Sequence, residues 1–147
     1  MRLAALATAF VLAAGLAQAD SFVRKMSPHS VELTIDRLAA AVEKAGARVF
    51  ARIDHAEGAA GAGMELRPTT VLVFGNPGIG TPMMQSEQSM GLDLPMKVLA
   101  YEDRAGNTHL VYRDIRAVAA EHGAEAPTVS KAAGALDKLT EAALGAD

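Results

Sequence analysis

Hydrophobic and polar positions change period several times along the chain, and each change marks an element. Val31, Ile35, Leu38 and Val42 recur at helical spacing, with Ser30 as N-cap before them and Gly46 as the stop. From Ala47 to Ile53 the period drops to two, which predicts a strand. Its strict alternation puts Val49, Ala51 and Ile53 on one face and Arg48, Phe50 and Arg52 on the other. Asp54-His55-Ala56-Glu57 has the form of a capping box and opens a short helix through the small residues Gly58 to Gly63. Thr70 to Phe74 is a continuous apolar run of central-strand type. Thr81 as cap and Pro82 at the first helical position predict a helix from there to Met90, stopped by Gly91. Met96 to Tyr101 and Thr108 to Tyr112 read as the two strands of a hairpin joined through Asp103 to Asn107. Asp114 caps a helix with Ile115, Val118 and His122 on one stripe, ended by Gly123. Thr128 caps a last helix that turns Val129, Ala132, Leu136 and Leu139 inward. With a weaker first strand over Phe22 to Met26, the fold class is α+β: one domain, with a mixed or antiparallel sheet of about five strands and helices packed on it.

The first residues follow another pattern. Arg2 precedes an uncharged apolar run from Leu3 to Leu16, and Ala17-Gln18-Ala19 has the small-x-small form of a cleavage site. The run falls short of the ~20 residues that span a bilayer. Residues 1–19 are therefore read as a signal peptide and residues 20–147 as the domain, which implies a periplasmic or secreted protein. There is no second apolar span, so no membrane association is expected after cleavage. The formal charge is −3, and losing Arg2 makes it more negative, so nucleic acid is not an expected partner. The chain has no cysteine, which removes disulfides, thiolate metal sites and covalent haem attachment.

The glycine-rich turn in Val71 to Met84, VLVFGNPGIGTPMM, invites comparison with phosphate-binding loops. A Walker-type loop needs Lys-Ser or Lys-Thr after its last glycine, but Thr81-Pro82 follow Gly80 and the next lysine is Lys97. The order Gly75-x-x-Gly78-x-Gly80 also reverses the dinucleotide fingerprint, and Pro77 lacks an amide that an anion would use. A tight strand-to-helix turn is the better reading.

The segments VFARIDHAEGAAGAGMELRPTTVLVFGNPGIGTPMMQ, DLPMKVLAYED, LVYRD and EHG follow one another in an order that resembles the family called domain of unknown function 302. The resemblance runs from about Ser30 to Gly123 and implies a small α+β fold, a homodimer and no settled activity. Relatives carry Tyr-Asn-Asp-Pro where this chain has Tyr112-Arg113-Asp114-Ile115, so no asparagine role transfers there.

Among candidate site residues His55 comes first, because it follows a strand end within Arg52-Ile53-Asp54-His55 and is flanked by small residues. A neutral imidazole there could serve as a metal ligand to a non-covalent haem or hold another small planar ligand, with Phe50 and Met83 as apolar walls and Asp54 beside it. Met83, Met84, Met90 and Met96 raise copper as a second cofactor, ranked below haem because methionine at helical spacing more often fills a core. His122 is read as packing with a capping bond, His109 as a cross-strand partner and His29 as solvated. Asp103 initiates the hairpin turn, and Ser86 and Ser89 show neither a glycine elbow nor a fixed base. The leading expectation is an exported ligand-binding homodimer without catalysis of its own. The alternatives are a small hydrolase or isomerase using His55 with Asp54 or Glu102, and a purely structural dimer.

Overall fold

The computed structural model describes residues 21–145. The signal-peptide segment inferred from the sequence lies outside the described residues. In chain order the elements are β1 (Phe22–Ser27), α1 (Val31–Lys44), β2 (Arg48–Asp54), α2 (His55–Gly61), β3 (Thr69–Gly75) and α3 (Pro77–Ser86). A 3-10 turn (Gln88–Leu92), β4 (Met96–Glu102), β5 (Thr108–Arg113), α4 (Ile115–His122) and α5 (Thr128–Leu144) complete them. The five strands form one antiparallel sheet in the order β1-β5-β4-β3-β2, as expected for the α+β class.

That order dictates the role of α1. β1 and β2 are the two edges, so the segment joining them must cross the sheet. Fourteen residues of helix reach about 21 Å, close to the ~19 Å breadth of five strands. Ser30 caps α1 through its hydroxyl, which accepts from the Leu33 N–H at 3.2 Å. Gly46 follows with φ +74°, a conformation open to glycine at little cost. The inward stripe Val31, Ile35, Leu38 and Val42 is buried against the sheet and α5. From the sheet, Leu72, Phe74, Val98, Ala100, Leu110 and Tyr112 meet it. Burying each such large side chain contributes about 1.5–3 kcal/mol. The Tyr112 hydroxyl donates to Asp137 of α5 at 2.8 Å, and burial together with that carboxylate pushes its pKa up to about 12.

Three local expectations are corrected. β2 does not alternate strictly. Val49 pairs with Phe74 and Ala51 with Val73, which leaves Phe50 as the extra residue of a bulge. Val49 therefore shares the helix-covered face with Phe74, whereas Ala51 and Ile53 share the other face with Val73 and Val71. The helix expected to start at Thr81 begins at Pro77, because the Asn76 side chain accepts the Gly78 N–H at 2.9 Å and Pro77 occupies the first turn. Pro82 lies inside that helix, which ends at Ser86, and a separate 3-10 turn carries the chain past Met90. Thr128 is the first residue of α5 and not its cap. Pro127 takes the cap position in a helical conformation, and the Thr128 hydroxyl is left as the single buried side-chain N or O atom without a partner among the described residues.

Candidate functional site

β3 leaves the sheet at Gly75 and turns directly into α3, so the turn and the first two turns of that helix overhang the sheet end. α5 packs against α3 from the other side. Between them lies a pocket of about 380 Å³. Ile79, Met83 and Met84 line it from α3, Leu136 and Leu139 from α5, and Phe50 and Phe74 from the sheet. Leu94, Pro95 and Met96 close a further side. Among the described residues, no charged one lines it. Among its lining side chains only Asn76 and Thr81 carry polar atoms, and the Asn76 oxygen is already engaged by the Gly78 N–H.

Local sequence explains the opening. A Cβ on Gly75 would stand 3.4 Å from Pro95 Cβ and 3.5 Å from Phe50 Cε2, ordinary contact distances, so these two side chains pack directly over the strand end. The bulge takes Phe50 out of the ladder and re-aims its ring to the pocket mouth, where it stays 48% exposed under the Arg48 guanidinium, 5.5 Å from the ring centroid. Ala132 and Ala135 keep the α5 wall low. What this space can hold is an apolar group, oriented by shape and by the Thr81 hydroxyl.

The candidate residues fall into two places. Phe50 and Met83 line the pocket, and Met83 is fully buried there. His55 and Asp54 sit at the opposite end of β2, a span of about 15 Å from Phe50. His55 is the first residue of α2, exposed to solvent, and lines neither cleft. Asp54 caps α2 by accepting the Ala56 and Glu57 N–H groups at 2.9 and 3.0 Å. It borders a second cleft, of about 420 Å³, together with Glu32, Arg52 and Glu102. Among the described residues no three of His, Cys, Asp or Glu cluster as metal ligands. Met84 and Met96 also line the apolar pocket, whereas Met90 is buried in the core.

The other histidines are all engaged. His109 stacks on Tyr101, its cross-strand neighbour, at 5.2 Å and bonds Asp103 Oδ2 through Nε2 at 2.7 Å. That contact, with the Asn107 and Ala105 N–H groups, holds the Asp103 carboxyl well below the usual range. His29 is not merely solvated, since its Nε2 lies 3.1 Å from the Gly145 carbonyl. His122 does more than pack. Its Nδ1 lies 2.7 Å from the Ser89 hydroxyl and its Nε2 2.8 Å from Asp93 Oδ2. Ser89 therefore has a fixed base, contrary to the sequence reading. No local spacing signals it, because the base comes from 33 residues away.

A family model described as domain of unknown function DUF302 matches residues 23–143. The chain belongs to the DUF302 family. Its fold is also that of a DUF302 protein from Bacillus stearothermophilus, solved by crystallography and titled an uncharacterized conserved protein. The two share 20% identity with a TM-score of 0.70, covering 86% of this chain and 97% of that one. Two curated relatives are proteins named fluoride-specific ion channel FluC 1, from Brucella suis and Brucella abortus. Each is 46% identical over 96 residues, which is 65% of this chain. The chain spans under two fifths of their length, 38% and 36% respectively. No helix among the described residues of this DUF302 chain is long and apolar enough to cross a membrane.

Proposed function

We propose that this DUF302 chain is an exported ligand-binding protein that takes a small apolar, preferably flat, molecule into the pocket under the glycine-proline turn. The observation that carries the reading is the pocket itself. It combines the volume of a small-ligand site with a wall of aromatic, methionine and leucine side chains and almost no polar atoms. Methionine suits such a wall, because its unbranched thioether adapts to different shapes. The reading differs from haem ligation by His55 in location, so one titration separates them. A fluorescent naphthylamine probe should bind saturably, one per chain, and Ala135→Phe should abolish binding by filling the space. His55→Ala should leave it intact. Equal binding by the wild type and Ala135→Phe would sink the pocket reading. A haemin Soret shift that depends on His55 would instead favour a haem site at α2. The channel name belongs to the Brucella proteins as wholes and lends the pocket no support.

We further propose a homodimer through the second face of the sheet. Val71 and Leu99, both half-buried, form a row across two strands there, with Ile53 46% exposed beyond Val71 and Val111 already buried beyond Leu99. Five strands about 4.8 Å apart and about six residues long present roughly 500 Å² per copy, so two faces together reach about 1,000 Å², the lower bound for a stable interface. Lys97 and Arg24 interrupt the patch, but their aliphatic stems can lie along it. Leu99→Glu should halve the mass measured by sedimentation. A wild-type protein that sediments as a monomer at micromolar concentration would end this proposal.

A further inference from the structure

The 3-10 turn, α4 and β5 meet at a hydrogen-bonded relay that neither pocket includes. It runs from Ser89 Oγ to His122 Nδ1 at 2.7 Å, and from His122 Nε2 to Asp93 Oδ2 at 2.8 Å. The second Asp93 oxygen accepts from Arg113 at 2.9 Å, and Arg113 also reaches Glu121. Each end of the imidazole is thereby assigned a role. Asp93 accepts only, so Nε2 carries a proton toward it, and Nδ1 is left with its lone pair facing the Ser89 hydroxyl. The His122 side chain is 14% exposed and Asp93 21% exposed, whereas Ser89 faces solvent. A held base beside a reachable hydroxyl is the arrangement that turns serine into a nucleophile.

A second observation points to a ligand at the same spot. Leu92 is 81% exposed, the largest value among the exposed large hydrophobic residues described. In a 3-10 helix, residues three apart eclipse one another, so Leu92 lies on the same face as Ser89. An apolar side chain left in water beside an activated hydroxyl offers a landing for an acyl chain.

We propose that Ser89, His122 and Asp93 form an acyl-transfer centre acting on activated esters of short apolar acids. Ser89 and His122 are the catalytic residues, and Asp93 is a positioning residue. The Ser89 oxygen bonds to the acyl carbon while its proton passes to His122 Nδ1. The ester carbon–oxygen bond breaks, and the leaving oxygen takes that proton from His122 and departs as the alcohol, which returns the imidazole to its neutral form. Water then attacks the acyl-serine, gives its proton to His122, and releases the acid as Ser89 regains its hydrogen. Arg113 and Asp93 hold the imidazole from the side opposite Ser89, which ties the relay to β5.

The test is covalent labelling of the intact protein. A fluorophosphonate should add once, at Ser89 by peptide mass mapping. Ser89→Ala should remove the adduct and Ser130→Ala, on the exposed first turn of α5, should not. Asp93→Asn should slow labelling tenfold or more with its pH profile displaced, which a purely structural role would not do. Because the chain has no cysteine, Ser89→Cys creates a unique thiol whose reactivity reports the imidazole directly. Its alkylation by iodoacetamide at pH 7 should run about tenfold faster than in Ser89→Cys/His122→Gln. Circular dichroism would establish that both variants are folded. Equal alkylation rates in the two variants, or a wild type that fluorophosphonate leaves unmodified, would overturn the proposal. The outcome is independent of the pocket, since no residue of the relay lines it.

Discussion

The two ends of β2 and β3 carry opposite kinds of cleft. Where β3 ends, at Gly75, the lining is phenylalanine, methionine and leucine from β2, α3 and α5, with no charge. Where β3 begins, Glu32, Arg52, Asp54 and Glu102 surround a cleft of similar volume. The same two strands frame both, so the difference comes from what covers each end. At one end α3 and α5 present only apolar side chains and Thr81. At the other, α2 buries none of its residues, and charged groups keep their water. Volume alone does not make a binding site. The lining does, because an apolar wall gives up its water to an apolar ligand readily, whereas charged groups hold theirs.

Substitutions can break this contrast. The largest effect is expected at Met83, which is fully buried in the pocket wall. Met83→Asp would place a carboxylate without a partner in a dry site and should cost at least about 3 kcal/mol in urea denaturation, or prevent folding. Glu102→Gln at the polar end should change stability by under about 0.5 kcal/mol, and a comparable loss at both ends would contradict the contrast. Next in size is Asp54→Ala, which frees two N–H groups at the start of α2 and should cost about 1 kcal/mol.

A smaller effect concerns acid. The Asp103 carboxyl has its pKa lowered on folding, chiefly by His109. A depressed carboxyl contributes stability that is complete above its unfolded value, near 3.9, and fades as pH falls toward the folded value. Wild type should therefore lose midpoint denaturant concentration between pH 5 and pH 3 more steeply than Asp103→Asn. Parallel slopes would show that the hairpin turn does not depend on this carboxylate. The smallest effect is expected from Phe50→Ala. Its half-exposed ring at the pocket mouth should matter little to folding, under about 1 kcal/mol, yet weaken probe binding about tenfold.

Much of the fold was legible because its signals are local. The periods of Val31 to Val42 and Met96 to Tyr112, the caps Ser30, Asp54 and Asp114, and the hairpin loop from Asp103 to Asn107 all appear where the sequence placed them. The α3 boundary was missed because Thr81-Pro82 and Asn76-Pro77 are both sound helix starts. The earlier one prevails, since the Asn76 cap and the packing of Ile79 both reward it. Of the candidate site residues, Phe50 and Met83 share a pocket, and His55 with Asp54 lies elsewhere. Nothing in a strand of period two announces a bulge that sends Phe50 to the pocket mouth.

By itself, then, the order of residues determined the number and type of most elements, the caps at Ser30, Asp54 and Asp114, and the α+β class, since turns of helix and pleats of strand are decided within a few positions. Only the folded chain decided which surfaces meet. Ser89 finds His122 across 33 residues, and His122 finds Asp93 across 29. α5 closes a pocket begun by a turn far earlier in the chain. Such encounters depend on the strand order and on how helices cover the sheet, and no short-range pattern of hydrophobicity or charge encodes them.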